Sequence, residues 1–254
     1  MDMLDEFRAW CLKSISPRTT RSYTAMVKIY LRNVDYVRQE SVEAFLSTKK
    51  HPKTYNDYLD ALSKLFKFLG LPLNLKRKPV PENRLVIVPS IGEVERFIRA
   101  VERRDVRTYL KLLCLTGIRP ERLLNTEWSN FDLEKGWLLI REASESKNYN
   151  PQPLPSWLVE ELKELRETYP EKPFPSESTV RRHMMKAERR TGLHITRSKL
   201  RDFFYNTALR SGMVSEIVEY LMGHRLGVRR RYLGDYVREE MEKLWRTLDT
   251  LRDI

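Results

Sequence analysis

Two arginines, a lysine, a histidine and a tyrosine stand along this chain in the order Arg119, Lys147, Arg201, His224, Tyr232. Arg201 and His224 are 23 residues apart, Tyr232 lies eight past His224, and Arg119 closes the run Thr116-Gly117-Ile118-Arg119. Arginine forks hold the non-bridging oxygens of a phosphodiester in a bidentate way that lysine cannot match. A histidine can add a further hydrogen bond where charge builds up on those oxygens. A tyrosine hydroxyl can attack phosphorus and leave protein joined to the nucleic acid. Such a set could cut DNA without a metal. Each residue also has a plainer reading: Arg119 could pair with Glu121 or a carbonyl, Lys147 could be a solvated turn lysine, and His224 could cap a helix. Tyr232 could be a packed aromatic, with Tyr236 as the nucleophile instead.

Other chemistries find little purchase. His51, His183, His194 and His224 have no ligand-like spacing, and Cys11 and Cys114 are far apart, so no metal site is expected. Neither a glycine-rich phosphate loop nor a Gly-x-Ser-x-Gly elbow occurs, and no cofactor is expected.

Helical periodicity dominates the elements that must carry these residues. Leu4, Phe7, Trp10 and Cys11 share one face, and Ser16-Pro17 opens a helix bearing Tyr23, Met26, Val27 and Tyr30. Ser41 is read as the cap of a short helix with Val42, Phe45 and Leu46 inward. Thr54 to Leu69 repeats the pattern before Gly70 stops it. Residues 1–72 thus read as a helical domain, 73–89 as a basic, proline-rich linker with Lys76, Arg77 and Lys78, and 90–254 as a second domain. There Ser90 and Glu93 form a capping box, and helical periodicity runs to Gly117 and again from Pro120 to Trp128. Gly136 to Arg141 is the clear strand, with Lys147 to Leu154 as its hairpin partner. Helices are expected over 155–169, 175–190, 198–211 and 214–222. The tail from Val237 carries Met241, Leu244, Trp245, Leu248 and Leu251 on one face, to be covered either by its own domain or by a neighbouring protomer.

The formal net charge is +12, unevenly spread. Residues 1–80 hold 15 Lys/Arg against 8 Asp/Glu, and residues 181–238 hold 14 against 5. Two separated basic regions suggest a polyanion gripped at two places. No apolar run approaches the ~20 residues of a membrane span, so no membrane is expected as a partner. The cysteine usage fits a reducing cytoplasm, and 32% charged residues with two Gln suit a thermophile.

At these motifs the chain resembles the tyrosine recombinase (phage integrase) family over nearly its full length. The Thr116–Arg119 box, the 23-residue step from Arg201 to Leu221-Met222-Gly223-His224, the tyrosine eight residues later (nine is usual) and the Ser-Pro-Arg-Thr-Thr-Arg-Ser-Tyr entry at 16–23 carry the resemblance. It departs from the pattern at the second box, where Ser198 stands in place of histidine. Some archaeal viral and plasmid integrases put lysine there, and Lys199 or Arg197 could substitute from a different helical direction. The carboxylate expected three residues after the first arginine is displaced to Glu121, with Arg122 in its place, and Asp202 replaces a histidine.

The resemblance implies a mainly α (α+β) fold: a helical core-binding domain and a mostly helical catalytic domain with a small antiparallel sheet, closing on DNA as a C-shaped clamp. It implies Arg119 and Arg201 on the scissile phosphate, His224 donating to it, Lys147 protonating the departing 5′ oxygen and Tyr232 as nucleophile. Ser198, Lys199, Arg197, Glu121 and Tyr236 are auxiliary candidates. Arg18, Arg21, Lys76, Arg77 and Lys78 are DNA-contact candidates. The implied partners are double-stranded DNA, three further copies in a homotetramer on DNA, and accessory DNA-bending proteins. The implied activity is site-specific recombination for integration, excision or replicon resolution of a mobile element of archaeal type. A catalytically weak DNA-binding relative and a type IB topoisomerase-like enzyme are the alternatives.

Overall fold

The computed structural model describes residues 2–81, 87–140, 151–223 and 236–254. Two compact units follow one another, Met1–Arg84 and Leu85–Ile254.

The first unit is built from α1 (Met3–Leu12), α2 (Pro17–Leu31), α3 (Gln39–Ser47) and α4 (Pro52–Phe68). Pro17 takes the first helical position, where its missing N–H costs nothing, and the Ser16 hydroxyl accepts the Thr19 N–H at 3.2 Å. The stripes read from periodicity meet in one core: Phe7, Cys11, Val27, Tyr30, Val42, Leu46, Leu62 and Leu65 are all fully buried. Each such apolar side chain contributes roughly 1.5–3 kcal/mol of transfer free energy. Ser41 does not cap α3. It sits in the first turn, donates back to the Arg38 carbonyl at 2.7 Å and lies 2.7 Å from the Tyr30 hydroxyl. The helix therefore starts three residues earlier than the serine suggested.

The first half of the expected linker belongs to this unit. Leu73 and Leu75 pack against its core. The buried Asn56 carboxamide of α4 pairs with both backbone groups of Lys78, N–H to Oδ1 and Nδ2–H to carbonyl, each at 2.8 Å. Arg77 pairs with Asp60 at 3.1 Å. An asparagine amide mimics the edge of a strand here, and the segment runs along α4 as a strap. Proline-rich composition reported the lack of regular structure correctly and could not report this attachment.

In the second unit the expected helix from Ser90 to Gly117 is two helices, α5 (Ile91–Arg99) and α6 (Arg104–Thr116). The Ser90–Glu93 capping box is present. The break comes where Arg103 turns to grip Asp105 in the first turn of α6, at 2.7 and 3.0 Å. Apolar spacing continues across that turn, so periodicity alone runs the two together. From Thr108 to Thr116 every residue of α6 is buried, which makes it the central helix. Its Lys111 is neutralised by Glu161 at 2.8 Å. α7 is only Pro120–Leu124, and a 3-10 turn (Trp128–Asn130) follows it.

The sheet is antiparallel, in the order β1 (Phe131–Asp132), β2 (Trp137–Leu138), β3 (Gln152–Pro153). Trp137 faces Asp132 and Pro153, and Leu138 faces Phe131 and Gln152. Regular pairing is much shorter than the run Gly136 to Arg141, whose last residue, like Lys147, lies outside the described residues. Then come α8 (Ser156–Thr168), α9 (Glu177–Thr191), α10 (Arg197–Arg210), α11 (Ser215–Leu221) and α12 (Tyr236–Thr247). The apolar face of the tail is covered by its own unit: Met241, Leu244, Leu248 and Leu251 are fully buried in the same core as α6 and α10. Arg238 ties α12 to the β1–β2 turn, bonding the Lys135 carbonyl at 2.9 Å and lying 5.0 Å from the Trp137 ring centre.

Candidate active site

α6 ends at Gly117, which adopts a left-handed conformation (φ 60°, ψ 14°). The chain turns there, and Arg119 becomes the N-cap residue of α7, with Pro120 at its first position. A Cβ at Gly117 would lie under 3.0 Å from three ring carbons of the buried Phe204. Conformation and space both demand glycine, and that places Arg119.

Arg201 rises from the first turns of α10 and is gripped from two sides. One guanidinium nitrogen donates to the Gly117 carbonyl, the other to the Met222 carbonyl at 2.8 Å. Burial pushes its pKa down to about 10, and the nearby charges of Arg119 and Arg122 push the same way, against Asp202 and Glu219. Like charges are therefore held in one field across the α6–α7 turn. An anion between them would relieve both the repulsion and the desolvation.

The auxiliary candidates separate. Ser198 is exposed in the first turn of α10. Lys199 donates to the His194 carbonyl at 2.8 Å. Arg197 bonds Glu177 and the Tyr109 hydroxyl; burial would lower its pKa, but these partners raise it. Neither cation has been released to stand where the second-box histidine would be. Glu121 is exposed, and its charge acts on Tyr109. Tyr236, at the start of α12, is 44% exposed, and its hydrogen bond to Glu240 raises its pKa, the wrong direction for a nucleophile. Lys147, His224 and Tyr232 lie outside the described residues.

Of the DNA-contact candidates, Arg18 and Arg21 are exposed on α2. Lys76, Arg77 and Lys78 are exposed along the strap, with the Lys78 ammonium 4.3 Å from the Tyr55 ring centre.

Two features escaped the sequence reading. Tyr109 on α6 donates to the Pro120 carbonyl at 3.0 Å and so supports the turn that carries Arg119; burial pushes its phenol up to about 12. Nothing in the sequence of a helix buried on every side from Thr108 onward singles it out. The other is a face of α9 where Arg181, Arg182, Met185, Lys186 and Arg189 line a shallow groove. Its spacing is a helical stripe and could have been read. Among the described residues no cluster of His, Cys, Asp or Glu could hold a metal ion, and no helix is long and apolar enough to cross a membrane.

A mostly helical unit with a three-stranded antiparallel sheet and an arginine pair at the end of its central helix has the architecture of an integrase catalytic domain. Tyrosine recombinase XerA of Pyrococcus furiosus is 28% identical over 246 residues, covering 88% of this chain and 85% of that one. XerA of Thermococcus kodakarensis is 24% identical over 245 residues, with 88% and 86% covered. Among solved structures, a lambda integrase tetramer bound to a Holliday junction shares the fold, with a TM-score of 0.66 and 17% identity, covering 91% of this chain and 75% of that one. XerH site-specific recombinase bound to palindromic difH substrate does so with a TM-score of 0.63 and 19% identity, covering 92% and 80%. No protein-family model matches the chain. These relatives support the tyrosine recombinase/integrase family.

Proposed function

We propose that this chain is a site-specific DNA recombinase that cleaves and rejoins strands through a 3′-phosphotyrosine. The observation that carries the reading is Arg201, half-buried and tethered by the Gly117 and Met222 carbonyls within the field of Arg119. In this mechanism the two arginines grip the non-bridging oxygens of the scissile phosphate, and His224 donates a further hydrogen bond. The Tyr232 oxygen attacks phosphorus, the bond to the 5′ oxygen breaks, and Lys147 gives that oxygen its proton. The ester keeps the bond energy, so a second 5′ hydroxyl reverses the step on the partner strand without ATP. Strand exchange between two duplexes calls for four protomers on DNA. Structural neighbours support this: lambda integrase is seen as a dimer and as a tetramer on DNA.

The α9 face is proposed to meet the DNA backbone, since its arginines are exposed and spaced along one side of a helix. Arg18, Arg21 and the Lys76–Lys78 strap are proposed to do the same for the first unit.

Covalent trapping tests the reading. Nicked suicide duplexes from the junctions of the encoding element should yield an adduct on a denaturing gel, with Tyr232 in the linked peptide. Tight binding with no adduct would support the catalytically weak relative instead. The engagement of Arg197 and Lys199 elsewhere speaks for a slow enzyme, so Ser198→His should raise the cleavage rate.

A further inference from the structure

We propose that Gln152 is a positioning residue for strand cleavage, acting through the end of α11 on Arg201; this rests on the recombinase reading above. Gln152 is one of two glutamines in the chain, and it is 1% exposed. It stands on β3, paired with Leu138. Its side-chain nitrogen donates at 2.8 Å to the carbonyl of Leu221, the last residue of α11. Its side-chain oxygen is buried and has no hydrogen-bond partner among the described residues.

An unpaired buried amide oxygen destabilises a fold; a leucine of similar volume would remove that penalty but take the donor from the Leu221 carbonyl, so the two costs roughly offset and stability alone does not select the amide. The amide therefore calls for a reason other than stability. The next carbonyl along, that of Met222, holds Arg201 at 2.8 Å. Successive carbonyls at one helix end are thus fixed from opposite directions, Leu221 by β3 and Met222 by α10. The same end leads directly into Gly223 and His224. Through Arg201 the linkage continues to the Gly117 carbonyl, two residues before Arg119. One buried amide fixes the carbonyl next to the one that aims an arginine, and a misplacement of about 1 Å in such a constellation can cost 10²-fold in rate.

The test compares Gln152→Leu and Gln152→Glu with the unaltered chain on the nicked suicide duplexes. Gln152→Leu should cleave 10- to 100-fold more slowly at saturating DNA, with DNA affinity within about threefold and a melting temperature within about 4 °C of the unaltered chain. Gln152→Glu can donate to the Leu221 carbonyl only when protonated, so its rate relative to the unaltered chain at the same pH should climb as pH falls. Equal rates for Gln152→Leu and the unaltered chain would overturn the proposal. So would a rate loss matched by loss of DNA affinity and melting temperature, which marks a merely structural role. Absence of an adduct from the unaltered chain would instead remove the recombinase reading, and this inference with it.

Discussion

Replacing Gly117 by alanine separates two physical demands on one residue, because a second glycine supplies the control. Gly117 and Gly192 both end helices in the left-handed region, at φ 60° and 71°. An alanine at Gly192 would meet nothing within 4 Å, whereas at Gly117 it would run into the ring of Phe204, itself fully buried. The conformational cost of a left-handed alanine is about 1–2 kcal/mol at either position. Forcing a methyl group against an immovable ring adds roughly 1–3 kcal/mol. Gly117→Ala should therefore lose about 2–5 kcal/mol and Gly192→Ala about 1–2. For a unit of this size the difference corresponds to a gap of roughly 2–12 °C in melting temperature. Thermal and urea unfolding of the two variants, side by side, measure it. Melting temperatures that agree within about 1 °C would refute the packing of Phe204 against the turn. A second readout follows from the tether: the displaced Gly117 carbonyl should carry Arg201 with it and slow cleavage beyond what the unfolded fraction explains.

The remaining predictions concern the site, its support and the surface. Arg119→Ala or Arg201→Ala should cost about 3–4 kcal/mol of transition-state stabilisation in single-turnover cleavage. Arg201→Lys should recover little of the loss, since one ammonium cannot span the Gly117 and Met222 carbonyls. Tyr232→Phe should abolish the covalent adduct while Tyr236→Phe keeps it; the reverse pattern would move the nucleophile to Tyr236. Glu240 is buried, which would raise its pKa, yet Lys243, the Val214 N–H and Tyr236 hold it below 4.5. Its contribution to stability is then complete above about pH 4.5 and is lost as pH falls through the lower folded value. Urea midpoints between pH 6 and 3 should accordingly fall less steeply in Glu240→Gln. Each of Arg181, Arg182 and Arg189 replaced by alanine should lower the slope of log affinity against log salt by up to about 0.9, and unchanged slopes would take α9 off the DNA.

Helices with a strong stripe and a capping signal were the legible part of this fold. The Ser16-Pro17 and Ser90–Glu93 starts stand where local chemistry puts them, because a cap is settled within four residues. Ser41 misled for the same local reason: a serine in the first turn can serve the backbone almost as a cap does. The Arg103 turn between α5 and α6 leaves no trace in apolar spacing, and the strap on α4 depends on Asn56, 22 residues from its partner. Of the site, the arginine pair was legible as a motif. What holds the pair was not. Gln152 and Leu221 are 69 residues apart, Arg201 and Gly117 are 84 apart, and such bonds are set by packing alone.

The strap also changes the arithmetic of two-handed binding. With Lys78 pinned to α4 and α5 capped by Ser90, eleven residues lie between the fixed ends, a reach of at most about 40 Å. On the proposed binding of both units to DNA, so short a tether keeps the second unit at a high local concentration beside the duplex the first has found. Asn56→Ala would let out the slack only as far as Leu75, which stays packed on the core. Lengthening the tether by about a quarter dilutes the second hand roughly 1.4-fold, through its −3/2 power dependence on length. On that reading a single amide in a helix tunes the avidity of the whole chain, from a place where no DNA need ever touch it.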